Sequence, residues 1–159
     1  MNSGLVMYEE EFRLIAGICD RLTRDANAKV VFLVDKNGQL IASSGQAQNL
    51  DTTSLASLTA GNVAAMGGLA KLIGEKEFPN QFHEGEKESL HMSIVGGRVV
   101  LVVIFDAKSS LGLVRLRVKK AGEELAKVFE VLAKKQAAPG AASPFAEITD
   151  DDIDNLFSE

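Results

Sequence analysis

Residues 88–105, ESLHMSIVGGRVVLVVIF, constrain the fold more than any other stretch. Two apolar runs meet at Gly96-Gly97. Before the glycines, Leu90, Met92 and Ile94 alternate with His91, Ser93 and Val95; after them, Val99 to Phe105 carries no charge. A Gly-Gly pair between two such runs predicts a tight hairpin, because the favoured two-residue turns need positive φ. A strand with no polar face belongs at the centre of a sheet, covered by helices.

The charge balance limits what such a sheet can serve. Six of the 22 acidic residues lie in the last 13 positions (Glu147, Asp150, Asp151, Asp152, Asp154 and Glu159), with no basic residue among them. The remaining 16 acids face 17 Lys and Arg, so the body is close to neutral and lacks the concentrated basic surface of a nucleic-acid binder. One cysteine excludes a disulfide framework and an all-Cys metal site, and Cys19, in a helical pattern, reads as core filler. His83 and His91 read as strand-surface residues rather than metal ligands. No run of 18 apolar residues exists to span or insert into a membrane, and no basic-then-apolar leader opens the chain, so a cytoplasmic location is expected.

Helical and strand periods alternate along the chain. Tyr8, Phe12, Ile15, Cys19 and Leu22 recur at four and three, predicting a helix over 8–25, with Glu9, Glu10 and Glu11 in its first turn. Val30–Val34 and Gln39–Ala42 predict a second hairpin around Asp35-Lys36-Asn37-Gly38, followed by a loop over 43–50. A helix capped near Asp51 runs to about Ile73. One face holds Leu55, Leu58, Asn62, Met66, Leu69 and Ile73; the adjacent face holds Ser57, Gly61, Ala64, Gly68 and Lys71 and has almost no side-chain volume. Glycine inside a helix costs about 1 kcal/mol relative to alanine. Two explanations stand: another backbone approaches closely, or the helix seats tightly on its own sheet. Residues 81–86 form a polar edge strand anchored by Phe82, either protected by its charges or pairing with a second subunit. After turns at Asp106–Ser109, Leu111, Val114, Val118, Ala121, Leu125, Val128 and Leu132 mark a long amphipathic helix capped by Ser109 or Ser110. Arg115, Arg117, Lys119 and Lys120 form a basic cluster on it.

These elements divide the chain into a domain over 1–135, a Pro/Gly/Ala/Ser linker over 136–146 and an acidic segment over 147–159. In that segment Ile153, Leu156 and Phe157 fall at i, i+3 and i+4, beside Asp151 and Asp152. A stripe this short is no stable helix alone and suits a partner's groove. Tight turns between neighbouring strands imply an antiparallel sheet, and three helices must cover it, so the fold class is α+β in two or three layers. No P-loop, GxSxG or His-centred constellation is present. Asp35 and Asp106 are turn-formers. No catalytic residue, metal site or cofactor is expected, and the chain reads as a binding protein.

The stretches VVFLVDKNGQLIASSG and DTTSLASLTAGNVAAMGGLAKLIG, in this order of elements, resemble the Roadblock/LC7 family. MYEEEF, EFPNQFHEG, RVVLVVIFD, SLGLVRLRVKKA and SPFAEITDDDIDNLFSE are similar to bacterial members that act on a Ras-like GTPase. The resemblance implies a five-stranded antiparallel sheet of order 2-1-5-4-3 and a homodimer joined through the middle helix and third strand. It also implies a GTPase activator, without an active site of its own, serving cell polarity and gliding motility and concentrated at a cell pole. Two subunits are expected to hold one GTP-bound GTPase, with an adaptor that only localises the GTPase as the alternative. Arg98, Arg115 and Arg117 sit on no long loop, so activation by reshaping the GTPase is expected rather than an arginine finger. The expected contact is Ser57, Gly61, Ala64, Gly68 and Lys71, with the acidic segment as a second docking element.

Overall fold

The computed structural model describes residues 8–137. Helix α1 (Glu9–Asp25), strands β1 (Val30–Asp35) and β2 (Leu40–Gly45), helix α2 (Thr52–Leu72), strands β3 (Asn80–His83), β4 (Ser89–Val95) and β5 (Val99–Phe105), and helix α3 (Leu111–Ala137) follow in order. The strands form one sheet, β2-β1-β5-β4-β3, and every neighbouring pair is antiparallel. This is the expected α+β architecture and strand order. The linker beyond residue 137 and the acidic segment with Asp151, Asp152, Ile153, Leu156 and Phe157 lie outside the described residues.

The central hairpin closes as its glycines require. Gly96 and Gly97 have φ of 60° and 68°, and the Arg98 N–H donates to the Val95 carbonyl at 3.1 Å. Every residue of β5 and of β1 is buried. Side chains alternate across a strand, so these two strands build two cores. Val31, Leu33, Val99, Leu101, Val103 and Phe105 face α1 and α3. Val30, Phe32, Val34, Val100, Val102 and Ile104 face α2. The α1/α3 side is closed by Ile15, Cys19 and Leu22 with Val114, Val118, Leu125, Phe129 and Leu132. Helix α2 must carry the chain from β2 at one edge to β3 at the other. Its 21 residues span about 30 Å, more than the roughly 19 Å across five strands.

Four sequence expectations are corrected. Phe12 is 44% exposed while Glu11 is buried to 4%, the reverse of the periodic assignment. The cause is tertiary: Lys135, near the end of α3, donates to Glu11 Oε2 at 2.8 Å and stands 5.1 Å over the Tyr8 ring. Second, β2 continues through Ser43, Ser44 and Gly45, paired with Phe32, Val31 and Val30. Leu33 pairs with Ala42 and Val34 with Leu40, leaving Ile41 as an extra residue that breaks the alternation. Third, β3 ends at His83, so the following charged residues belong to the connection. Fourth, His91 is not on the surface: it is 2% exposed on the α3 side of β4, paired across the sheet with Val103 and Phe82.

Burial, with the Arg115 guanidinium adding, holds the His91 imidazole below its usual 6.5. The unfolded chain therefore binds this proton at higher pH than the folded chain does. Acidification through 6.5 and below removes stability that is present above it. Urea unfolding at about pH 7.5 and about pH 5.5 should show a smaller acid loss for His91→Phe than for the parent chain. Equal losses would mean that protonated His91 is accommodated in the fold.

Candidate functional site: the outer face of the second helix

Helix α2 begins at an Asp51 cap. The Ser54 hydroxyl and backbone N–H donate to the Asp51 carboxylate at 2.7 and 3.0 Å and hold its pKa below the usual carboxylate range. From there to Ala70 the helix carries no charged residue, so no side is marked for solvent. It meets the sheet through Ala56, Thr59 and Ala70, with Leu55 and Val63 partly buried against the β1–β5 surface. Ser57, Gly61, Ala64, Gly68 and Lys71 all lie on exposed positions, as expected for an outward stripe.

The face that carries the large residues is not the one that packs on the sheet: Leu58, Leu69 and Ile73 are exposed, Leu58 to 72%, and Leu72 reaches 84%. Small residues make the intramolecular contact instead, because α2 lies low across a sheet whose own Val, Ile and Phe side chains fill the space. The outer side of α2 is consequently an apolar surface interrupted by glycines. A Cβ added to Gly61, Gly67 or Gly68 would meet nothing within 4 Å. Tight seating on its own sheet therefore does not account for these glycines.

Between α2 and the β3–β4 edge runs a groove of about 470 Å³. Ala64, Gly68 and Lys71 line it from the helix, and Phe78, Gln81 and Ile94 from the sheet side; Ser57 and Gly61 stand apart on the open face. Lys36, Lys71 and Lys76 border it with Glu77 as the single carboxylate. Among the described residues, strand β3 pairs with β4 alone, so its other edge offers free backbone groups. Lys71 belongs to the helical stripe read from the sequence, whereas Lys36, Lys76 and Phe78 lie outside it and were not legible there.

Arg98, Arg115 and Arg117 are elsewhere. Arg98 follows the two-glycine turn and, with Gly96, lines a groove against Phe129 and Glu130 of α3. Arg115 and Arg117 belong to α3 itself, on the other side of the sheet from α2. Cys19 is buried, and burial, with Asp20 adding, pushes its thiol up to about 12. Among the described residues, no group of three or more His, Cys, Asp or Glu could hold a metal ion, and no helix is long and apolar enough to cross a membrane.

The Roadblock/LC7 domain model matches residues 14–105. Myxococcus xanthus MglB is 80% identical, with 80% of this chain and 96% of that one covered and a TM-score of 0.77. The gliding protein MglB from Thermus thermophilus is 32% identical over 82% of this chain and 99% of its own, at a TM-score of 0.77. An MglB with a tetrameric arrangement is 31% identical over 83% and 99%, at 0.78. No curated protein matches the chain.

The open space at the α2 glycines has a measurable consequence. Gly61→Ala and Gly68→Ala should each raise the stability of the isolated protomer by about 1 kcal/mol through helix propensity. The gain is read from urea midpoints at low protein concentration. A loss of stability there would place these glycines in a contact within the protomer.

Proposed function

Because the chain belongs to the Roadblock/LC7 family, and to the MglB proteins within it, we propose that it is a homodimeric regulator of an MglA-type Ras-like GTPase. It raises GTP hydrolysis by that GTPase in cell polarity and gliding motility, working in the cytoplasm and concentrated at a cell pole. The observation that carries this reading is the glycine-interrupted outer face of α2, uncharged up to Lys71, on a chain 80% identical to an MglB. An apolar face of that kind is a contact surface. The flank of α2 toward the groove and the free edge of β3 suit a second copy of the chain. The outward stripe Ser57, Gly61, Ala64, Gly68 and Lys71 suits the GTP-bound GTPase, two subunits holding one GTPase.

The placement of the arginines supports activation without a donated finger. A GTPase seated on α2 has the whole sheet between it and the Arg115 and Arg117 side, and Arg98 sits on a two-residue turn with no reach. The dimer surface then acts by favouring one arrangement of the GTPase's own switch segments, through differential affinity for that state. Residues 1–135 form the regulatory domain and 136–146 a linker. Segment 147–159 is a second docking element, in which Ile153, Leu156 and Phe157 fill an apolar groove of the GTPase and Asp151 and Asp152 meet basic residues.

GTP turnover by an MglA-type GTPase, with and without the protein, tests this reading. Stimulation should persist in Arg98→Ala, Arg115→Ala and Arg117→Ala and should vanish, with the dimer still intact, in Gly68→Arg or Ala64→Arg, where a bulky charge is forced into the contact. Loss of stimulation in one arginine variant with binding intact would reveal a finger, and binding without stimulation would make the protein an adaptor. Deleting residues 146–159 should raise the dissociation rate of the complex; an unchanged dissociation constant and exchange rate would remove the second docking element.

A further inference from the structure

On the side of the sheet away from α2, helices α1 and α3 run antiparallel. Lys135 meets Glu11 at one end, and Arg21 meets Glu124 at 3.2 Å further along. Their outer surfaces leave an open groove of about 660 Å³. Its floor is apolar: Leu14, Ile18 and Val128, with Gly17 between them, where an added Cβ would meet nothing within 4 Å. Its rim is basic: Arg13, Arg21, Arg24 and Lys127, against the single carboxylate of Glu124. Arg13 is tied to Glu9 only by an exposed ion pair one helical turn away, and Arg24 and Lys127 form no ion pair among the described residues. This is a cationic groove with an apolar floor, on a chain of net charge −5.

The chain carries one segment of the complementary kind. Residues 147–159 hold six acids, no base, and the apolar set Ile153, Leu156 and Phe157. We propose that the α1–α3 groove is the intrachain docking site of this acidic segment. Ile153, Leu156 and Phe157 rest on the Leu14–Gly17–Ile18–Val128 floor, and Asp150, Asp151, Asp152 and Asp154 face Arg13, Arg21, Arg24 and Lys127.

The dimensions agree. Lys127 lies ten residues before the end of α3 at Ala137, about 15 Å back along the helix. Residues 138–146 number nine and reach at most about 30 Å. The groove from Arg13 to Arg24 is about 17 Å long, and thirteen residues in helical form would span about 20 Å. Tethering at this length makes docking an intramolecular event with an effective concentration in the millimolar range. The other basic cluster fits less well. Lys120 lies 17 residues before the end of α3, about 25 Å away, and the crevice beside it and Arg117 holds only about 10 Å³. The docking concerns the free chain and does not rest on the GTPase reading.

Paramagnetic relaxation in the full chain tests this. Buried Cys19, with its thiol pushed up to about 12, stays unlabelled at neutral pH, so a nitroxide attaches at Ser158→Cys alone. Amides of Gly17, Ile18, Lys127 and Val128 should lose intensity. The loss should disappear in Arg24→Glu/Lys127→Glu, whose exposed side chains leave the fold intact. It should also disappear at about 1 M salt, where the Debye length is about 3 Å. No broadening, or broadening centred on α2, overturns the proposal. Broadening that persists when spin-labelled chain is mixed with a separately isotope-labelled chain places the segment on a neighbouring copy and overturns it as well.

Discussion

The protomer depends on the antiparallel pairing of β1 with β5. Val30 to Asp35 matches Ile104 to Val99 residue for residue, and both strands are buried on both faces. Two adjacent strands of this kind create two separate apolar surfaces, and neither tolerates water. One surface is closed by the α1–α3 pair, whose Ile, Leu, Val and Phe side chains interdigitate with the sheet. The other is closed by a single helix touching it mainly through alanine and threonine.

That asymmetry determines where the molecule has something to offer. On the α1–α3 side most apolar volume is used internally, and what remains outside is the cationic set Arg13, Arg21, Arg24, Lys119, Lys120 and Lys127 beside a few exposed apolar residues such as Leu14. On the α2 side the large apolar residues Leu58, Leu69, Leu72 and Ile73 point outward, between glycines that need no room within the protomer. The two faces therefore recognise different chemistry. One suits a close apolar contact with another folded surface; the other suits an acidic, partly apolar segment held by charge and short-range contact.

Much of this was legible in the sequence because local rules and the global fold agree. The Gly96-Gly97 turn, the Asp35 turn in which one carboxylate oxygen accepts from the Asn37 and Gln39 N–H groups, and the α3 stripe through Leu132 all follow from spacing. The departures occur where a residue's setting depends on something distant in the chain. Glu11 is buried because Lys135 arrives from 124 positions away. His91 is covered because α3 crosses β4, and Ile41 falls out of alternation because β2 bulges against β1. In α2 the period was legible and the facing was not. With no charge between Thr52 and Ala70, hydrophobicity could not distinguish the sheet side from the open side.

By itself, then, the sequence determined the eight elements, their turns, the central position of β5 and the grouping of Ser57, Gly61, Ala64, Gly68 and Lys71 on one stripe of α2. These follow from periodicities of two and 3.6 residues and from the backbone needs of glycine, all of which act over a few residues. Only the tertiary structure decided which side of α2 stays bare, that Arg98, Arg115 and Arg117 lie across the sheet from it, and that Arg13, Arg21, Arg24 and Lys127 gather around one apolar floor. Those facts depend on how helices from opposite ends of the chain lie against one sheet. Side-chain packing sets that arrangement at the last step, and no short window of residues encodes it.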